Sequence, residues 1–128
     1  MIEVYVDGAS RGDSGMAGAG IFIKNGSEVE QHSVPLGILS NHEAEYAALL
    51  KGLDICLQKG YTVVSFRTDS QLVERAVENR YVKNPVYVPL LEKALEQIDK
   101  FDLFFLKWVP AKENRADQLA KQAIHLNE

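Results

Sequence analysis

A single cysteine, Cys56, is all the thiol the 128-residue chain contains. A disulfide within the chain needs two cysteines, and a thiolate zinc site needs more than one, so both are excluded. Cys56 lies in an apolar helical run, where a buried, inert thiol is expected. No apolar stretch approaches the ~20 residues that a membrane-crossing helix requires. The opening MIEVYVDG has neither a basic segment nor an apolar core, so nothing suggests secretion and a cytoplasmic location is expected. Basic residues are also in deficit: Lys plus Arg number 14 against 18 Asp plus Glu, for a net charge of −4. Proteins that grip nucleic acid through charge alone cluster Lys and Arg against phosphates, and this balance argues against that mode. It leaves open an enzyme of nucleic acids in which several carboxylates gather and hold cations.

What is present is ordinary globular material, 46% hydrophobic and 25% charged. A chain of this length buries one continuous core, so residues 1–128 are read as a single domain. No repeat, low-complexity tract or linker divides it.

Ile2, Val4 and Val6 alternate with Glu3, Tyr5 and Asp7, which is the period of a strand. Gly8, Gly12, Gly15, Gly18 and Gly20 predict a turn that ends in a second strand near Ile21–Lys24. Asn25-Gly26 is a hairpin signal, and Glu28–Leu36 reads as the third strand. The period then changes. From His42 to Gln58, Tyr46, Leu49, Leu50, Leu53 and Leu57 recur at helical spacing, with Ser40 or Asn41 as N-cap. Thr62–Thr68 is a β-branched strand, followed by a helix from about Ser70. Pro89 suits the first turn of a third helix, Leu103–Val109 forms a fifth strand, and a last helix runs from Asn114 to about Ile124. The order β-β-β-α-β-α-α-β-α predicts an α/β fold: a mixed five-stranded sheet, three strands antiparallel and then two parallel, flanked by about four helices.

Four carboxylates stand at element boundaries in this reading. Asp7 and Asp69 end strands, while Glu45 and Asp117 lie in first turns of helices. Each has a structural explanation of its own, since acids in a first turn complement the helix dipole and Asp at a strand end starts turns. Asn114-x-x-Asp117 could simply be a capping box. Their settings favour more. Gly8-Ala9 after Asp7 lets a backbone approach, and Thr68-Asp69-Ser70 marks a strand-to-helix junction, where open α/β sheets carry ligand sites. Clustered carboxylates stay ionised only when cations neutralise them, and hard oxygen ligands suit Mg²⁺ or Mn²⁺. Periodicity alone does not bring the four together.

Four segments in order carry a resemblance: VDGASRGDSGMAGAG (Val6–Gly20), SNHEAEYAALLKGL (Ser40–Leu53), TDSQLV (Thr68–Val73) and ENRADQLAKQA (Glu113–Ala123). Over nearly its whole length the chain resembles the type 1 ribonuclease H family. The resemblance implies an RNase H-like fold and an endoribonuclease that hydrolyses the RNA strand of RNA/DNA hybrids, leaving 5′-phosphate and 3′-hydroxyl ends. It implies that Asp7, Glu45, Asp69 and Asp117 are catalytic and hold two divalent cations, Mg²⁺ or Mn²⁺, ~3.5–4 Å apart, with Asp7 between them. It further implies that Gly8, Ala9, Ser10, Asn41, Ser70 and Gln71 line the minor groove, where 2′-hydroxyls distinguish RNA from DNA. Double-stranded RNA is a further possible substrate, and a monomer that does not engage membranes is expected.

The sequence also departs from the family. Gly12-Asp13-Ser14-Gly15 replaces Gly-Asn-Pro-Gly in the first hairpin, so an acid stands where an amide approaches phosphate. The segment Trp108–Asn114 contains no histidine, where many members have one in a loop before the last acid. His32, His42 and His125 lie elsewhere and read as surface side chains. The family's Lys/Arg- and Trp-rich helical insertion is missing, and only Arg80-Tyr81-Val82-Lys83-Asn84 occupies its region. Two other readings compete. The fold could serve as a duplex-binding module with weak or no catalysis, or as one lobe of an actin-like phosphotransferase, although this chain lacks the second lobe. A protease reading of Gly12–Gly15 fails because the chain offers neither two β-barrels nor a positioned triad.

Overall fold

The computed structural model describes residues 1–12 and 14–126, so the substitution expected at Asp13 lies outside the described residues. Five strands form one sheet: β1 (Ile2–Ser10), β2 (Gly15–Asn25), β3 (Glu28–Leu39), β4 (Val63–Thr68) and β5 (Leu103–Trp108). The spatial order is β3-β2-β1-β4-β5. β1 pairs antiparallel with β2, and β2 with β3, whereas β1–β4 and β4–β5 are parallel. Four helices follow the expected order: α1 (Asn41–Gln58), α2 (Gln71–Asn79), α3 (Val88–Ile98) and α4 (Asp117–Leu126). Among the described residues no helix is long and apolar enough to cross a membrane.

The alternation in β1 sets the two faces of the sheet. Val4 and Val6 point, with Ile21, Ile23, Val64 and Phe66, into the main core beneath α1, where Leu49 and Leu53 are fully buried. Tyr5 points the other way and joins Phe22, Ala116 and Leu119 under α4. Cys56 is buried in the main core, and burial pushes its thiol pKa up to about 12, which leaves it protonated and inert.

The glycine-rich stretch differs from its expectation. It is strand rather than extended turn: β1 continues to Ser10 and β2 begins at Gly15. Gly18 and Gly20 are spacers between the sheet and α4. A Cβ on Gly18 would lie 2.5 Å from the Ala123 Cβ and 2.6 Å from the Ala120 carbonyl oxygen. On Gly20 it would lie 2.6 Å from the Ala120 amide nitrogen and closer still to the Ala116 carbonyl oxygen. α4 therefore lies directly on the β2 backbone. β3 likewise runs past Pro35 to Leu39. It is an edge strand, so a proline without an N–H is tolerated there. The register moves from Gly18↔Pro35 to Ala17↔Gly37, and the bulge absorbs Leu36. The last helix starts at Asp117 rather than Asn114, because Ala111–Glu113 forms a short 3₁₀ turn first.

Gly20→Ala should destabilise the protein by about 1–3 kcal/mol, since the obstruction is backbone that cannot rotate aside. A lower urea midpoint with an unchanged m-value is expected; an unchanged midpoint would refute the close approach of α4.

Candidate active site

Asp7 lies on the α4 side of the sheet, one alternation beyond Tyr5. Tyr5 pairs with Arg67 across the parallel β1–β4 ladder. The same register carried two residues further sets Asp69, just past the end of β4, beside Asp7. In the other direction Asp7 faces Gly20, and Ala116 rests on Gly20, so α4 begins with Asp117 next to Asp7. The first turn of α1 reaches the same place because Gly8 has no side chain: a Cβ there would stand 2.5 Å from the Glu45 amide nitrogen and would strike the Ala44 carbonyl. Glu45 thereby arrives at the end of β1. The four expected acids meet at the carboxyl ends of β1 and β4.

The electrostatics tie them together. Asp7 is 8% exposed. Burial first, then the charges of Asp69 and Asp117, a hydrogen bond with Asp117 and the charge of Glu45 raise its pKa to about 8. Burial also raises Asp69, against a lowering hydrogen bond from Asn114 and a further push from Asp117. Glu45 is raised by burial, opposed by His42 and Ser70, with Asp69 pushing it up. Asp117 is paired with Lys121 at 3.1 Å. Among the described residues, no three acidic or imidazole side chains converge closely enough to enclose an ion as they stand. The donor set nonetheless fits Mg²⁺ or Mn²⁺. It offers carboxylate oxygens only, and it carries an electrostatic cost that a divalent cation would relieve.

The remaining expected residues divide into three groups. Gly8 is buried against α1 and presents only backbone. The Ser10 hydroxyl donates to the Leu39 carbonyl at 2.7 Å, tying β1 to the end of β3, with Ala9 half-buried between. Ser70 is buried as the N-cap of α2 and accepts from the Val73 amide at 3.2 Å. Asn41 and Gln71 are exposed at the starts of α1 and α2. Ser40, one of the two N-cap candidates, is the cap of α1 and forms a capping box with Glu43.

Three neighbours of the acids have roles that their spacing alone did not reveal. Asn114 is 5% exposed. Its amide nitrogen donates to Asp69 Oδ2 and to the Val6 carbonyl, both at 3.0 Å, and its Oδ1 accepts from the Ala116 amide at 3.0 Å. The Trp108 indole N–H donates to the Asp69 carbonyl at 3.1 Å. His42, read as a surface side chain, is half exposed, yet its Nδ1 lies 2.9 Å from Glu45 Oε1. Its helical spacing, His42-x-x-Glu45, was the available signal.

A family model described as reverse transcriptase-like matches residues 5–123. The "Putative hydrolase EbsB" of Enterococcus faecalis is 37% identical over 127 residues, covering 97% of this chain and 94% of its own. Ribonuclease HI of Halobacterium salinarum is 34% identical over 127 residues, which are 96% of this chain but 64% of that protein. The crystal structure of RNase H1 from that archaeon superposes with a TM-score of 0.90 at 33% identity, covering 97% of both chains. The chain belongs to the ribonuclease H family. LC11-RNase H1, solved in complex with an RNA/DNA hybrid, has the same fold with a TM-score of 0.91 at 29% identity, covering 99% of each chain.

In this ribonuclease H family member, the segment Arg80–Asn84 divides its cations between an ion pair and a groove. Arg80 adopts a left-handed conformation (φ 51°) to close α2 and commits its guanidinium to both oxygens of Asp99, at 3.1 and 2.7 Å. Lys83 and Tyr81 instead face a groove of about 480 Å³ that Gln71, Arg75 and Asn79 also line.

Because the folded pKa of Asp7 lies near 8 against 3.8 for a free side chain, the folded state holds a proton that the unfolded chain has released. This contribution is complete below pH 3.8 and is lost as pH rises through about 8. The cation-free protein should therefore lose stability across that window. Asp7→Asn should flatten the loss and raise the melting temperature most at pH 8 and above, by roughly 3–5 °C for each ~1 kcal/mol relieved. Saturating Mn²⁺ should raise it as well. Melting curves of wild type and variant that run parallel from pH 4 to 9 would refute the assignment.

Proposed function

We propose that the chain is a cation-dependent endoribonuclease that hydrolyses the RNA strand of RNA/DNA hybrids. The observation that carries the proposal is the convergence of Asp7, Glu45, Asp69 and Asp117 on one sheet end, where the charges of the other three all bear on the buried Asp7. The family relation supports it, as does a structural neighbour that was solved on an RNA/DNA hybrid. Two divalent cations, Mg²⁺ or Mn²⁺, would supply an activated water and charge stabilisation at the leaving oxygen.

The chain's own residues prepare the reaction. Asp7, buried among its three partners, would be a ligand of the cations. Asn114 holds one oxygen of Asp69, so the other would be available to a cation. His42 and Ser70 hold the Glu45 carboxylate by hydrogen bonds. The water oxygen forms a bond to phosphorus as the P–O3′ bond breaks, and a proton ends on the 3′-oxygen, so the products are 5′-phosphate and 3′-hydroxyl ends. The Gly8–Ser10 backbone, Asn41, Ser70 and Gln71 lie along the minor groove, where small polar groups read 2′-hydroxyls.

Asp7→Asn and Asp69→Asn should each lower cleavage of a labelled hybrid at least ~100-fold while leaving the circular dichroism spectrum unchanged, since removal of a ligand exceeds the 10–100-fold cost typical of its supporting neighbours. Hybrid binding without Mg²⁺- or Mn²⁺-dependent cleavage in the wild type would replace this proposal with the binding-module reading. Arg75→Ala with Lys83→Ala should raise KM with little change in kcat. It should also reduce the slope of log affinity against log salt by about 1–2, roughly one unit for each phosphate no longer neutralised. An unaltered slope would take both cations out of the interface.

A further inference from the structure

Tyr87 is distant from the acids in sequence, and none of the motifs includes it. It nevertheless meets α1 at the two residues that flank Glu45 on the same helical turn. Its ring stacks on Tyr46, with centroids 5.5 Å apart and planes at 25°, and stands edge-on to His42, at 6.1 Å and 81°. Tyr46 is fully buried, so the platform beneath Tyr87 is fixed. Tyr87 is itself anchored by the loop ahead of α3: its amide donates to the Asn84 carbonyl at 3.0 Å, and the Asn84 side chain accepts from the Val86 amide at 2.9 Å.

His42 is half exposed and sits at the first turn of a helix, where an imidazole alone would sample several rotamers. The Glu45 carboxylate that it bonds is only 11% exposed. The direction of that carboxylate therefore depends on His42 together with Ser70, and the Tyr87 ring closes one side of the space open to His42. We propose that Tyr87 is a positioning residue for Glu45, acting through His42: the Tyr46 platform fixes Tyr87, Tyr87 fixes the imidazole, and the imidazole presents its Nδ1–H to Glu45. The phenol oxygen has no part in this chain of contacts; only the ring face and edge take part. The inference rests on the ribonuclease reading, in which Glu45 is a ligand.

The test has one readout that needs no activity. In cation-free protein compared at one fixed pH, long-range ¹H–¹⁵N spectra report which imidazole nitrogen carries the proton. Wild type and Tyr87→Phe should hold His42 as the Nδ1–H tautomer, whereas Tyr87→Leu should release it toward the Nε2–H form favoured in water. The kinetic readout is a double-mutant cycle on a labelled hybrid. Tyr87→Leu and His42→Ala should each lower kcat ~10-fold at little cost in KM, and the double variant should be no slower than His42→Ala alone. Tyr87→Phe should retain wild-type kcat. If Tyr87→Leu unfolds the protein, Tyr87→Met serves as a milder removal of the ring. A His42 tautomer indifferent to residue 87, or effects of Tyr87 and His42 that multiply, would overturn the proposal. A wild type that fails to cleave hybrid while its tautomer follows residue 87 would instead overturn the ribonuclease reading and leave the chain of ring contacts standing.

Discussion

Four carboxylates held within mutual repulsion are the constraint around which the rest of this fold is arranged. Like charges in a poorly solvated cleft do not assemble by attraction; other interactions must force them together. Here the force comes from backbone contacts. The first turn of α1 rests on Gly8 of β1, and α4 rests on Gly18 and Gly20 of β2. These approaches are made of van der Waals contact and burial, which are insensitive to charge, so they can hold Glu45 and Asp117 against Asp7. The parallel β1–β4 register adds Asp69. Each acid comes from a different element, and no single local opening relieves the repulsion.

That division also explains what was legible in the amino-acid order. Strand and helix identities follow from periodicity, and the acids could be located because they stand where the period changes. The glycines could not be interpreted the same way. Gly-rich sequence between two apolar runs suggests a turn, and only the helix lying over β2 reveals that Gly18 and Gly20 face Ala120 and Ala116 instead of solvent. Similarly, Pro35 suggests the end of a strand until β3 proves to be an edge, where a missing N–H breaks no ladder. The convergence of Asp7, Glu45, Asp69 and Asp117 was supplied by family resemblance. Spacing along a chain carries no information about which helix crosses which strand.

The supporting residues were less legible for a different reason. Trp108 acts through its indole on the backbone of Asp69, and Tyr87 meets His42 and Tyr46 from another element; neither relation has a local signature. Arg80 illustrates the reverse case. In sequence it heads the short segment that stands where a basic insertion is usual, yet its guanidinium is committed to Asp99. The cations that line the neighbouring groove are Lys83 and Arg75, the latter on α2 ahead of the segment. Counting basic residues in a segment thus mislocates the charge available to a substrate, because a helix C-cap and an ion pair claim the first of them.

Asn114 shows how little is needed to convert a packed fold into an organised site. A capping asparagine ordinarily satisfies one orphan amide, and Asn114 does this for Ala116 with its oxygen. The opposite end of the same side chain has two donors. One goes to the Val6 carbonyl, next to Asp7, and one to Asp69. A single buried amide therefore sets the start of α4, the end of β1 and the carboxylate after β4 relative to one another. An aspartate could cap the helix equally well but would add a fifth negative charge and lose both donors; a serine has one donor and a shorter reach. The Oδ1 of Asn114 turns the chain into α4 through the Ala116 amide and the Asn114 backbone amide goes to the Ala111 carbonyl, so the Asn114-x-x-Asp117 pattern is a turn that braces Asp69 and not a capping box.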